Sequence, residues 1–223
     1  MQALSEKEIL RLHESKVCVV GCGGLGGYII EILARLGVLN ITVVDFDVFE
    51  TNNLNRQLFS TESRLGTSKT SAAIKRIASV NSDAVITGIT ERLDENNASD
   101  ILKGHDIAVD ALDNAETRLL ISRTCRELGI PMVHGSIAGW YGQVASIFPG
   151  DNTLEKLFSS LKSERGIEKD YGNLPFTASA IASIQCAECV KILTGKETIR
   201  NALLVVDLLN GSYDVVYTGG NNP

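Results

Sequence analysis

The sequence has no basic run, no internal repeat, no low-complexity tract and no linker, and its 223 residues carry a formal net charge of −6. A mildly acidic chain without a basic stripe lacks the charge that phosphate backbones demand. Nucleic acid is therefore not an expected partner. No apolar run reads as long enough to span a bilayer, so no membrane partner is expected. Residues 1–16 are charged and helix-forming, unlike a signal peptide. Five cysteines, an odd number, give no disulfide framework. Reduced thiols and a cytoplasmic location are expected. What remains is a chain that is 44% hydrophobic, ample for a core. With no linker in it, a single domain over 1–223 is predicted.

The strongest local signal lies at 17–26, Val-Cys-Val-Val-Gly-Cys-Gly-Gly-Leu-Gly. Val17 to Val20 suit a buried parallel strand. Gly21, Gly23 and Gly26 follow in G-x-G-x-x-G spacing, and 28–36 is apolar at helical period. A strand, a glycine turn and a helix start in that order let backbone N–H groups approach a phosphate. After a second strand at 41–44 stands Asp45, placed as a ribose-binding carboxylate. The competing reading is a glycine turn that only packs helix against sheet.

The rest of the chain extends this pattern. Ser5 and Glu8 form a capping box for a helix over 5–15, and Gly37 ends the helix that follows the glycine turn. Helices are predicted at 66–80, 94–102, 115–128 and 176–193, with strands at 85–89, 106–109 and 131–134. An antiparallel strand falls within 135–148, and a closing hairpin, 202–208 with 213–216, turns through Asn210-Gly211. Residues 150–175 read as a long polar segment with at most a short helix near 154–161. The order is that of an α/β, Rossmann-like, doubly wound and mainly parallel sheet with an antiparallel C-terminal extension.

Three clusters fall at strand ends, where ligands of such sheets sit. The polar loop 51–57 brings Arg56, whose planar fork of donors suits phosphate oxygens. Lys69 lies in the first turn of a helix, where a cation is disfavoured unless an anionic ligand answers it or the side chain is simply solvated. Asp110-Ala-Leu-Asp113-Asn114 offers acids that could hold magnesium, or that merely cap the next helix. His134 has no visible partner and reads as structural. An NAD-dependent dehydrogenase is the simplest use of the glycine turn. Two cations and an acid suit a triphosphate with magnesium better.

Together, Gly21-Cys-Gly-Gly-Leu-Gly26, Asp45-Phe-Asp47, Asn53-Leu-Asn-Arg56-Gln57, Lys69 and Asp113-Asn114 resemble the successive nucleotide motifs of the MoeB/ThiF/HesA family, relatives of the ubiquitin-activating enzymes. Ser183 to Gly195 resembles that family's late helix. The resemblance implies ATP and Mg2+ as cofactors and an adenylyltransferase. Its substrate is the C-terminal Gly-Gly carboxylate of a ThiS- or MoaD-like sulfur carrier of thiamine or molybdopterin-type cofactor biosynthesis. By the same resemblance Gly21, Gly23, Gly24 and Gly26 approach the phosphates, and Asp45, with Asp47 beside it, meets the ribose. Asn53, Arg56 and Lys69 position and neutralise the phosphates, and Gln57 belongs to the same cofactor-binding set. Asp113 holds magnesium, supported by Asn114, so Arg56, Lys69 and Asp113 are the catalytic set. Residues 150–175 correspond to the crossover loop, and a homodimer is expected, with Trp140 and Tyr141 as interface candidates.

The chain departs from the family's pattern in three places. No Tyr-x-Arg-Gln segment occurs in 1–16, where Arg11 is the sole arginine. Cys186 and Cys189 form one Cys-x-x-Cys pair rather than the two that zinc requires, so zinc is not expected. Residues 150–175 contain no cysteine, so a separate sulfurtransferase is expected to deliver sulfur. The alternatives are an ATP-dependent tRNA-modifying dehydratase of the same superfamily and a non-catalytic nucleotide- or carrier-binding module.

Overall fold

The structure is a computed structural model that describes residues 3–159 and 172–218. The elements in chain order are α1 (Glu6–Glu14), β1 (Lys16–Val20), α2 (Gly26–Arg35), β2 (Asn40–Val44), α3 (Lys69–Val80), β3 (Val85–Ile89), α4 (Ala98–Leu102), β4 (Ile107–Asp110) and α5 (Ala115–Leu128). They continue with β5 (Met132–Ala138), β6 (Tyr141–Ile147), α6 (Thr153–Ser159), α7 (Pro175–Thr194), β7 (Ala202–Asp207) and β8 (Ser212–Tyr217). One eight-stranded sheet runs β3-β2-β1-β4-β5-β6-β7-β8. β3 through β5 pair in parallel, and β5 through β8 pair antiparallel.

Strand β1 shows why the sheet is covered on both sides. Val17 and Val19 join one core with Ile29, Leu33, Ile77, Ile181 and Cys186. Cys18 and Val20 join the other, with Leu102, Ile121, Cys125 and Leu154. Alternate side chains leave opposite faces of a strand, so an unbroken apolar run demands a layer on each face. Each fully buried side chain of this kind contributes about 1.5–3 kcal/mol. The chain order reverses between β1 and β4, the central neighbours of the parallel part. A crevice therefore opens beyond their carboxyl ends.

Several boundaries differ from the sequence reading. The helix read at 66–80 starts at Lys69, because Gly66 takes φ +77° and closes a turn, with Ser68 then serving as N-cap. The helix read at 94–102 shortens to Ala98–Leu102. Asp94 Oδ1 accepts the N–H groups of Asn96 (2.8 Å) and Asn97 (3.3 Å), which holds a side-chain-capped turn in place of the first helical turn. The strand read at 131–134 continues to Ala138, because β6 supplies a partner along its whole length. Within 150–175 the helix is Thr153–Ser159, and the centre of the proposed crossover loop, 160–171, lies outside the described residues.

One expectation needs correcting. α7, 20 residues from Pro175 to Thr194, is long and apolar enough to cross a membrane by length and composition alone. It is instead a core helix: Ile181, Ala182, Cys186 and Cys189 are buried against α2 and the sheet. Its buried Glu188 accepts a 2.7 Å hydrogen bond from Ser146 Oγ.

Candidate active site

The crevice holds a cavity of about 940 Å³. Two loops at the ends of adjacent strands form its floor: the turn after β1 and the loop after β4. In the first, the four glycines of the motif divide into two pairs. Gly21, at φ +101°, lies where a Cβ would meet Ala111 O at 2.6 Å, and a Cβ on Gly26 would stand 1.9 Å from Gly21 O. These two are glycine because the backbone packs on itself. A Cβ on Gly23 would meet nothing closer than Gln57 at 3.6 Å, and one on Gly24 nothing closer than Arg56 at 3.8 Å. The fold leaves room there, and the bare backbone at Gly23 and Gly24 opens onto the cavity. α2 begins here with no side-chain cap, which leaves its N-terminal amides for an anion.

Asp45 is fixed by two backbone donors, Cys22 N–H at 2.7 Å on Oδ2 and Asp47 N–H at 2.8 Å on Oδ1. Burial pushes its pKa up, against the opposing pull of Lys69 and the two N–H groups. Each oxygen keeps a further acceptor site, the arrangement a ribose hydroxyl pair needs. Lys69 Nζ lies 2.9 Å from Asp47 Oδ2, and its side chain is 7% exposed. The cation at this helix N-terminus is thus answered within the protein by Asp47. An ammonium has three donors, so Lys69 retains capacity for a phosphate at the same wall.

Arg56 donates from Nη1 to Asn52 O (2.8 Å) and Asn55 Oδ1 (3.0 Å). Its Nε and Nη2 have no partner among the described residues. Gln57 is buried beside Gly23, and its Oε1 lacks a hydrogen-bond partner among the described residues. Asp113 and Asn114 line the opposite wall. Asn114 Oδ1 also accepts Thr117 N–H at 2.9 Å and so caps α5 at the edge of the cavity.

The structure therefore brings Gly21, Gly23, Gly24, Asp45, Asp47, Arg56, Gln57, Lys69, Asp113 and Asn114 to one cavity. Gly26 and Asn53 stand off its wall. Gly26 is taken up by packing on Gly21. Asn53 Oδ1 accepts Glu50 N–H at 3.0 Å and its amide donates to Asn52 Oδ1 at 2.7 Å, so it shapes the loop that carries Arg56.

The cavity also includes residues that the sequence reading missed. Arg92 lies 4.4 Å over the Phe46 ring at the rim, and Ile137, Asn173 and Arg118 complete the wall. Arg118 carried a signal. It shares a helical face with Ile121, Ser122 and Cys125, all buried, so an arginine stood on an inward-facing stripe. The partner that His134 lacked is Asp110, with Nδ1 2.6 Å from Oδ2.

Asp113 is a single exposed carboxylate with no partner among the described residues. Among those residues no group of three or more His, Cys, Asp or Glu could hold a metal. A lone carboxylate of this kind would suit a magnesium ion that takes most of its ligands from elsewhere. Cys186 and Cys189 are buried in α7; burial pushes the Cys186 thiol up to about 12 and Cys189 well above the usual thiol range.

The fold is a Rossmann-like, doubly wound sheet with a cavity beyond the carboxyl ends of its central strands. The model of the ThiF family matches residues 1–223, and the chain belongs to that family. The SAMP-activating enzyme E1 of Haloferax volcanii is 35% identical over 210 residues, which cover 92% of this chain and 77% of that protein. The sulfur carrier protein ThiS adenylyltransferase of Bacillus subtilis is 32% identical over 190 residues, 84% of this chain and 56% of that one. The chain thus spans only part of these relatives. Among solved structures, E. coli MccB with ATP shares the fold at TM-score 0.81 and 18% identity, over 96% of this chain and 67% of that one.

Proposed function

We propose that this chain is an ATP-dependent adenylyltransferase that activates the C-terminal Gly-Gly carboxylate of a ubiquitin-like sulfur carrier of the ThiS or MoaD kind. The observation that carries the reading is the open space over Gly23 and Gly24. It lies within one cavity with the free donors of Arg56, the buried Lys69 and the free carboxylate of Asp113. Relatives whose names include carrier activation support the choice of substrate.

In the reaction a carboxylate oxygen of the carrier bonds to the α-phosphorus of ATP. The bond from that phosphorus to the bridging oxygen breaks, and its electron pair leaves with pyrophosphate. Two anions must meet, so positive charge at the reacting phosphorus is the main requirement. Backbone N–H groups at Gly23 and Gly24 and the start of α2 receive phosphate oxygens. Asp45 holds the ribose. Arg56 and Lys69 neutralise the phosphates, Lys69 by sharing its ammonium between Asp47 and the ligand. Asp113 would hold magnesium, which when bound neutralises phosphate charge. In this reading the glycine tail enters along the wall at Ile137 and Asn173. Lacking side chains, glycines suit a narrow passage of this kind.

The working form in this reading is a cytoplasmic homodimer, with sulfur supplied by a separate sulfurtransferase. Trp140 packs on Phe176 with ring centroids 4.7 Å apart, and both are half-exposed next to Tyr141, a surface suited to that interface. The test is ATP–pyrophosphate exchange with magnesium and each Gly-Gly-ended carrier of the same genome. Exchange that depends on one carrier supports the reading, and the identity of that carrier separates thiamine from molybdopterin-type synthesis. ATP binding without exchange for any carrier would overturn it in favour of a binding module.

A further inference from the structure

Asp110 and Asp113 stand three residues apart with opposite surroundings. Asp113 is free at the cavity wall, whereas the Asp110 side chain is wholly buried. Its Oδ1 accepts the N–H of Leu112 at 3.0 Å, and its Oδ2 accepts the Nδ1 proton of His134 at 2.6 Å. Arg118 Nε lies 3.5 Å from the same Oδ2. Arg118 Nη2 donates to the carbonyl oxygen of Leu112. The Leu112 residue is thus gripped at its N–H by Asp110 and at its C=O by Arg118, two side chains in ion-pair range of each other, with Arg118 Nε itself making no hydrogen bond among the described residues.

The surrounding backbone is pinned as well. Asp110 O accepts Gln185 Nε2 at 2.8 Å, Ala111 N–H donates to Val20 O at 2.9 Å, and Asn114 is fixed by capping α5. Every residue from 110 to 114 is held except Asp113. Burying an arginine against a carboxylate is costly and a weak source of stability, so its presence here calls for a geometric purpose. Burial lowers the pKa of His134 against the pull of the Asp110 carboxylate beside it.

We infer that Arg118, through Asp110 and the Leu112 peptide, is the positioning residue that fixes Asp113 over the nucleotide site. The inference rests on reading Asp113 as the group that meets the nucleotide and its magnesium. Supports of this kind, one step behind a metal-binding carboxylate, typically matter by about 10- to 100-fold.

The test is a double-mutant cycle in the full chain with Arg118→Lys, Asp113→Asn and the pair. Lysine keeps the charge but lacks the planar fork that reaches Leu112 and Asp110 together. Arg118→Lys should lower kcat for exchange about tenfold or more and raise the magnesium concentration needed, with the KM for ATP changed less than about threefold. In the Asp113→Asn background it should add nothing. Independent losses in the two backgrounds, or a change in KM alone, would overturn the inference.

If Arg118→Lys does not fold, hydrogen exchange on the unaltered chain decides. The Leu112 amide should be as protected as those of β4, and exchange at the rate of an open loop would overturn the clamp. Should no carrier support exchange, it is the functional reading that fails. The same cycle is then read in magnesium–ATP affinity by calorimetry, where additive losses again count against the clamp.

Discussion

The two loops that meet at the crevice solve one problem by opposite means. The turn after β1 makes room by omitting side chains, and the loop after β4 supplies chemistry by adding them. They touch where Gly21 packs on Ala111. Within each loop, some residues hold the shape and others face the cavity. Gly21 and Gly26 shape the first while Gly23 and Gly24 face the cavity. Asp110 shapes the second while Asp113 faces it. A motif read as one object is therefore two interleaved sets, one serving the fold and one serving the site.

The division can be broken at each position. Gly26→Ala is expected to have the largest effect, since a Cβ 1.9 Å from Gly21 O forces backbone to move. A loss of about 3 kcal/mol or more, seen as a collapsed Tm or no soluble protein, is expected. A folded Gly26→Ala with ordinary Tm would erase the distinction between the pairs. Asp113→Ala comes next. Exchange should fall by about 10²–10³-fold, with Tm unchanged within about 2 °C; an unfolded variant would instead make Asp113 part of the frame. Gly24→Ala should fold normally and weaken ATP about tenfold by calorimetry, because the methyl group occupies ligand space. Unchanged affinity would show that the ligand does not approach there. Cys22→Ala should have the smallest effect, within about twofold in exchange. Cys22 serves Asp45 through its backbone N–H, and its buried thiol is held well above its usual pKa by burial. A larger loss in a folded variant would reveal a thiol role.

Much of the fold was legible because its signals are local. The β1 run, the capping box of Ser5 and Glu8 and the glycine that ends α2 each follow from neighbours in sequence. The residues that gather at the cavity were legible for a related reason: strand ends are where such sheets bind ligands, so a charged cluster just after a strand can be read without coordinates. Gly26 and Asn53 were placed with the ligand because a motif does not tell which of its members face inward to the frame. Arg118 was missed because its partners, Asp110 Oδ2 and the Leu112 carbonyl, come to it only through the fold of the loop after β4. The α7 helix shows the same limit in reverse, since length and composition alone do not separate a core helix from a membrane span.

By itself the sequence determined the order of elements, the doubly wound sheet with its antiparallel extension, and the set of polar residues available near the strand ends. These depend on periodicity, capping and turn chemistry, all of which act over a few residues. Tertiary structure alone decided the pairings across the chain: Lys69 with Asp47, His134 with Asp110, Arg118 with the Leu112 carbonyl, and the separation of the motif's glycines into two pairs. A hydrogen bond or a steric clash acts over about 3 Å, and which groups come within that distance is fixed only when distant segments pack into one core.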